Sequence, residues 1–329
     1  MKSVVLLFSV LFSTSIFAQA PSSAEFYIEK AQQLKLASNV TWQRLMYANV
    51  SGQSEVTYRS FFYSEHGQTQ LKQELDANIA ALFTPAEANQ SIQCRFPARS
   101  KWLIGQLNIA SNQLPKASCP ELDEWLGQIK PYKATLIYAT DFMGNPSSMF
   151  GHTLLRLDPK DQKQLNLVSY AVNYAATVAN SDSFSFAWKG LTGQYPGEYS
   201  LMPYYRKVKE YGDLESRDLW EYELALTPEE TKTMVEHIWE LKHVQFPYYF
   251  ISDNCAYRLL GLIDLVRPEV NLQKQFKTAA IPVETIKAVD ENHLIAESVY
   301  RPALETQLLA QAKQHGQALA AAAHQVAQL

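Results

Sequence analysis

Apolar positions change their period along the chain, and the change divides it. From Ser22 to about Lys130 they recur at the three-to-four-residue spacing of a helix face, predicting helices over Ala24–Leu36, Asn39–Tyr47, Thr69–Leu82, Lys101–Leu107 and Glu121–Gln128. Inside that region VTYRSFFYS reads as an extended piece, and His66, in the turn-like SEHGQ, as a solvated surface histidine. After Pro131 the period falls to two. KATLIYATDF, HTLLRLD and QLNLVSYAVNYAAT alternate β-branched and aromatic residues between the turn clusters GNPSS and DPKDQ, predicting successive strands of an antiparallel sheet. A Gly- and aromatic-rich stretch from Trp188 to Met202 separates these from another strand, DLWEYELAL. Thr227 as N-cap, Pro228 at the first helical position and Glu230 completing a capping box then open a helix that places Met234, Ile238 and Leu241 on one face. An extended FPYYF leads to Ser252, Asp253 and Asn254, all good N-cap types. Ala256, Leu259, Ile263 and Val266 keep helical spacing beyond them until Arg267 and Pro268 stop it. The Ala- and Gln-rich end, from Ala303 to Leu329, predicts a peripheral helix with a frayed terminus.

The first residues belong to a different pattern. Lys2, an apolar run from Val4 to Phe17 and the small-residue site Ala18-Gln19-Ala20 make the three parts of a cleavable export signal. The run is too short, and too interrupted by Ser9, Ser13 and Ser15, to span a bilayer. No Cys follows the site, which argues against a lipoprotein. The expected organisation is a signal peptide over 1–20, a mainly helical subdomain over 21–130, a catalytic domain over 131–302 and a peripheral helix over 303–329. The mature chain is expected to be soluble in the periplasm of a Gram-negative envelope, with membrane contact only peripheral. Composition supports a buried core, with 47% hydrophobic residues. Its 29 Lys and Arg against 33 Asp and Glu, with no basic block, argue against nucleic acid as a partner.

Export makes the cysteines informative, because thiols that meet in an oxidising compartment pair. Cys94 and Cys119 bracket one short stretch and are expected to form a disulfide that staples the helical subdomain, leaving Cys255 unpaired. Cys255 falls in the first turn of the helix that follows Asp253 and Asn254. There the backbone N–H groups and the positive end of the helix dipole favour a thiolate and can bind an oxyanion. A thiol nucleophile needs a base, and His152, at the head of HTLLRLD after a tight turn, is the best placed candidate. Asn173 in SYAVNY can orient the imidazole, with Ser169 on the same strand face as a rival. His237, Glu240 and His243 are spaced by threes, but that spacing matches no familiar metal motif. They read as partly exposed helix residues, so no metal or other cofactor is expected. Arg156, Arg258, Tyr204, Tyr205 and Tyr211 are candidates for a phosphate site or acyl groove. As single arginines and an aromatic cluster, they read more simply as surface and core.

SSMFGHTLLRL, SYAVNYAA, WEYEL and YYFISDNCAYRLL resemble the N-terminal periplasmic domain of Lnb, a bacterial lipoprotein N-acyltransferase; CRFPARSKWL, IPVETIKAV and YRPALE extend the likeness over most of the mature chain. The resemblance implies an α+β fold, related to circularly permuted papain-like enzymes of the NlpC and lecithin:retinol acyltransferase kind, in which the His strand precedes the Cys helix. It also implies that the catalytic pair maps onto Cys255 and His152. Lnb proper is followed by a transmembrane region, whereas this chain ends in its polar, Ala-rich stretch. The leading expectation is an exported cysteine acyltransferase or acyl hydrolase that forms a thioester at Cys255, with lipid or lipoprotein acyl groups as substrate. A cell-wall amidase or peptidase using the same pair, and a non-catalytic envelope scaffold, are the alternatives.

Overall fold

Strand pairing follows the alternation read from the sequence. In a computed structural model that describes residues 23–142, 151–160, 169–177, 183–316, 321–322 and 325, the described strands form one open antiparallel sheet. They are β1 (Lys133–Ala139), β2 (His152–Asp158), β3 (Tyr170–Ala176), β4 (Tyr195–Pro203), β5 (Leu219–Leu224), β6 (Gln245–Tyr248) and β7 (Ile295–Arg301), in the order β6-β4-β3-β2-β1-β5-β7. β1 and β2 pair from Lys133 opposite Asp158 to Ala139 opposite His152, and β2 meets β3 with Leu155 opposite Val172. The predicted export signal and the turn before Gly151 lie outside the described residues. No helix among those described is long and apolar enough to cross a membrane.

The helices are α1 (Ser23–Gln33), α2 (Val40–Leu45), α3 (Leu71–Leu82), α4 (Ile92–Arg95), α5 (Pro97–Leu107), α6 (Pro120–Ile129), α7 (Ser183–Leu191), α8 (Tyr204–Val208), α9 (Pro228–Glu240), α10 (Cys255–Val266), α11 (Pro282–Glu291) and α12 (Leu304–His315). One sheet face carries Leu136, Leu155, Leu157, Val172 and Tyr174 into a core shared with α9, α10 and the N-terminal helices. The opposite face buries Ile137, Ala139, Leu154, Ala171 and Leu219 with Tyr204 and Tyr211. The molecule is thus α+β, with the sheet as its middle layer.

Cys94 and Cys119 are bonded, their Cα atoms 5.1 Å apart, which ties α4 to the start of α6. The Trp239 indole donates to the Cys94 carbonyl (2.9 Å) and fastens that staple to α9. α9 begins as its capping box requires: the Thr227 side chain accepts from the Glu230 N–H, and the Glu230 carboxylate accepts from the Thr227 N–H.

Four readings need correction. VTYRSFFYS forms no strand. The Glu74 carboxylate takes the Tyr63 and Ser64 N–H groups, and the Arg99 guanidinium takes the Phe61 carbonyl, so buried side chains replace a pairing strand. The stretch from Trp188 to Met202 is the end of α7 followed by β4; its glycines hid the period because they serve close packing. A Cβ at Gly197 would lie 2.3 Å from the Tyr174 hydroxyl oxygen. β7 escaped because it is an edge strand exposed on both faces and so lacks an apolar alternation. His237 and Glu240 are buried rather than partly exposed: His237 Nδ1 bonds Glu240 Oε2 (2.8 Å) and Nε2 bonds the Tyr47 hydroxyl (3.1 Å). His243 is exposed, and the described residues hold no cluster of metal-ligating side chains.

Candidate active site

Cys255 is the free thiol, buried as the first residue of α10. The Asn254 side chain starts that helix by accepting from the Ala256 and Tyr257 N–H groups (3.1 and 3.3 Å). Its amide nitrogen donates to the carbonyls of Ala280 (2.9 Å) and Phe250 (3.2 Å), fixing the loop before the helix to the segment before α11. Asn254 is therefore a cap whose side chain is fully occupied and which takes two of the backbone N–H groups at this terminus. Asp253 is also engaged. It pairs with the buried Arg258 one turn into α10, and burial pushes its carboxyl up to about 6 against the pull of that guanidinium. Arg258 in turn binds Glu55 (3.0 Å) and lies 4.3 Å over the Phe246 ring, locking α10 in rotation.

His152 reaches the thiol because of the residue before it. Gly151 has φ +91°, and a Cβ there would sit 2.4 Å from the Tyr138 ring, so only glycine lets β2 begin at this point. Extending the β2–β3 register places Asn173 opposite Leu154, on the sheet face of His152 and diagonal to it. His152 Nε2 and Asn173 Oδ1 are 2.7 Å apart, both side chains buried. An amide oxygen only accepts, so Nε2 carries the proton of that bond, and Nδ1 is the ring nitrogen left for Cys255, whose thiol hydrogen-bonds the imidazole. Asn173 is held by strand pairing opposite Ser200. The Tyr211 ring flanks the imidazole at 6.1 Å, on the π-helical turn Lys209–Leu214.

The electrostatics of the pair favour charge separation. Burial alone raises the Cys255 thiol, but the His152 charge, its hydrogen bond and donors from Thr153 outweigh it and bring the thiol down from 9.0 to about 7. Burial lowers the His152 imidazole, and the negative charge at Cys255 with the bonds to Cys255 and Asn173 more than reverses that, so its pKa is raised. The pair favours charge separation, with about half of the thiol ionised at neutral pH and the thiolate gaining above it.

Ser169 does not compete for the imidazole: its hydroxyl donates to Asp158 (2.5 Å), two pairs further along the sheet. Arg156 is buried between Asp158 (2.9 Å) and Glu221 (2.5 Å), and Tyr204 donates to Glu221 (3.1 Å), so both are structural. Two neighbours of the thiol were not anticipated. Thr153 donates its backbone N–H to the sulfur, and its fully buried hydroxyl, which meets no oxygen or nitrogen, faces the sulfur as a second donor. The Tyr248 hydroxyl lies against the Cys255 backbone N–H; burial, and next the charge at Cys255, drive its pKa well above that of an ordinary phenol. Each is adjacent to a segment that sequence reasoning had singled out, but only tertiary packing aims it at the sulfur.

Cys255 opens onto a cavity of about 60 Å³ lined by Gly151, Phe250, Ile251, Asn254, Ala280, Ile281 and Pro282. Larger clefts exist elsewhere, including one of about 350 Å³ between α2 and α10, but none of those described contains the thiol. The small cavity admits a carbonyl group and little more.

No curated protein and no solved structure matches the chain. A family model described as a domain of unknown function matches residues 34–106, the N-terminal helices. A second, described as the Lnb N-terminal periplasmic domain, matches residues 121–292, more than half of the chain and all of the segments that carry Cys255, His152 and Asn173. The chain therefore belongs to the Lnb N-terminal periplasmic domain family.

Proposed function

We propose that this protein is a cysteine acyltransferase or acyl hydrolase of the cell envelope, exported to the periplasm by its N-terminal signal and acting on lipid or lipoprotein acyl groups. The observation that carries the reading is a Cys255 thiol hydrogen-bonded to the His152 imidazole, its pKa lowered, at the floor of a pocket walled mainly by apolar residues, Phe250, Ile251, Ala280, Ile281 and Pro282. Muropeptide amides are polar on every side and would require hydrogen-bonding walls; an ester at the head of an alkyl chain does not. The order of a His strand before a Cys helix, with an Asn behind the imidazole, supports the permuted papain-like relationship.

The Cys255 thiolate attacks the acyl carbonyl carbon, forming a C–S bond. The developing oxyanion is met by the Tyr248 hydroxyl, which accepts from the Cys255 N–H and keeps its own proton to donate. As the ester C–O bond breaks, the His152 imidazolium gives its Nδ1 proton to the departing alkoxide. An amine or water then attacks the thioester, His152 takes the proton from that nucleophile, and the C–S bond breaks to release amide or fatty acid and restore the thiolate–imidazolium pair. Asn173 holds the ring in the tautomer that keeps Nδ1 toward the sulfur throughout.

The test is to incubate the purified protein separately with a radiolabelled diacyl phospholipid and with a muropeptide. Release or transfer of labelled fatty acid, lost in Cys255→Ser, is expected. Cleavage of the muropeptide alone would favour the amidase. Turnover of neither, with full rescue of a deletion strain by Cys255→Ala, would make the protein a scaffold.

A further inference from the structure

Three consecutive-residue pairs meet at the mouth of the Cys255 pocket. The Phe250 N–H donates to the Gly190 carbonyl (2.9 Å), and the Ala280 N–H donates to the Ile251 carbonyl (2.8 Å). These two bonds join the end of α7, the loop before α10 and the segment before α11 into one rim. Glycines make the contact close: a Cβ at Gly190 would lie 2.2 Å from the Phe250 ring, and one at Gly193 would lie 2.3 Å from the Tyr249 ring. The residues that follow Gly190, Phe250 and Ala280 are aliphatic side chains left in solvent. Leu191 is 53% exposed, Ile251 41% and Ile281 36%, with Val283 at 50% and Trp188 at 56% flanking them. Ile251 and Ile281 line the opening itself, and the other three lie on the segments that these bonds join to it.

The cavity beneath is too small for an alkyl chain, so the chain of any acyl substrate must lie outside it, against this rim. The rim's three segments, 188–194, 249–252 and 277–283, contain Lys189 and Lys277, with Asp253 beyond them paired to Arg258 and Glu284 the exposed carboxylate at their edge. Aliphatic side chains with a tryptophan and two lysines complement an anionic lipid–water interface, where the alkyl groups enter the acyl region and the ammonium groups meet phosphate. A protein partner would be expected to find hydrogen-bonding side chains in such a rim, and these five offer only the Trp188 indole N–H.

We infer that Leu191, Ile251 and Ile281, flanked by Trp188 and Val283, seat the pocket mouth on the surface of an anionic bilayer, so that an acyl ester reaches Cys255 directly from the membrane. This rests on the acyl-transfer reading above, but it is tested by binding and not by turnover.

The experiment is sedimentation of the full mature chain with vesicles of phosphatidylethanolamine and phosphatidylglycerol, together with the emission of Trp188 judged against Trp188→Phe. Wild type and Cys255→Ser are both expected to sediment with the vesicles, with a blue shift that Trp188→Phe lacks. Leu191→Ser with Ile281→Ser is expected to weaken binding by about tenfold or more, given the apolar area withdrawn from lipid. Leu191→Ser alone, at an exposed helix end, gives a smaller loss in the same direction if the double variant does not fold. Absence of vesicle binding by wild type, equal binding by all variants, or a dimer in solution that Leu191→Ser dissolves would each overturn the inference. Vesicle binding without acylation of Cys255 would leave it standing and remove the acyl-transfer reading instead.

Discussion

Replacing His152 by Gln keeps a planar, hydrogen-bonding side chain between Cys255 and Asn173 but removes the positive charge. In the folded protein the thiol titrates at about 7 instead of 9.0, and the His152 charge is the largest influence pulling it down. Two pH units correspond to about 3 kcal/mol of preference for the thiolate at this buried position. Without that charge the remaining burial acts alone against the Thr153 donors, and the thiol returns to 9.0 or above. At neutral pH the thiolate fraction then falls from about one half to about one hundredth, and alkylation by iodoacetamide slows by about fiftyfold. The assay is the rate of Cys255 alkylation across pH 5 to 10, read by intact mass, with circular dichroism confirming the fold. In wild type the rate climbs through a midpoint near 7, because the thiolate is the species above the thiol's pKa. In His152→Gln the whole curve moves up by about two units. A variant curve that overlays the wild type would show that the imidazole does not set the thiol's charge, and the proposed pair would fail with it.

Thr153→Val removes a buried hydroxyl without changing shape; loss of one hydrogen bond to a charged sulfur is worth about 1.5 to 3 kcal/mol, so the alkylation midpoint should rise by about one unit or more, and Thr153→Ser should restore it. An unmoved midpoint would make Thr153 a packing residue only. Acylation should rise through pH 7 with the thiolate and decline where His152 loses its proton, above the range of an ordinary imidazole; a profile that falls below pH 7 would contradict the raised direction of that group. Reducing the Cys94–Cys119 bond, whose partners are separated by 25 positions, should lower unfolding stability in urea by about 3 kcal/mol, as should the Cys94→Ala and Cys119→Ala double variant. Arg99 is fully buried between Glu74 (3.6 Å) and Glu240 (3.5 Å), sandwiched by the Phe61 and Phe96 rings; Arg99→Met strands two carboxylates and should cost about 3 to 5 kcal/mol, and a loss below about 1 kcal/mol would contradict its pairing role.

The parts of the molecule legible in the sequence were those where local chemistry and tertiary environment agree. The capping box at Thr227 placed one helix start to the residue, and the run of N-cap types Ser252, Asp253 and Asn254 placed another to within a turn, because a cap is satisfied by groups within one turn. Alternation placed β1, β2, β3 and β5, since each buries alternate side chains in two different cores. It failed for β7, where neither face is buried, and for β4, whose glycines answer to rings on other elements. Cys255 could be singled out because disulfide pairing of Cys94 with Cys119 left one thiol at a helix start. Asn173 could be placed near His152 because residues on adjacent strands share a face. Thr153 and Tyr248 had no such signal: their hydroxyls matter only where α10 crosses the ends of β2 and β6. His237 shows the opposite limit, since helical spacing locates a face but says nothing about the Tyr47 that seals it.

The most direct measurement is the intact mass of the purified protein after exposure to phospholipid vesicles at neutral pH, quenched in acid. A mass increase equal to one fatty acyl group, mapped to the peptide holding Cys255, removed by neutral hydroxylamine and absent in Cys255→Ser and His152→Gln, is the expected result. A thiol that remains unmodified with every envelope lipid tested, yet alkylates with a midpoint near 7, would show an activated cysteine that does not take acyl groups, and the proposed chemistry would be wrong.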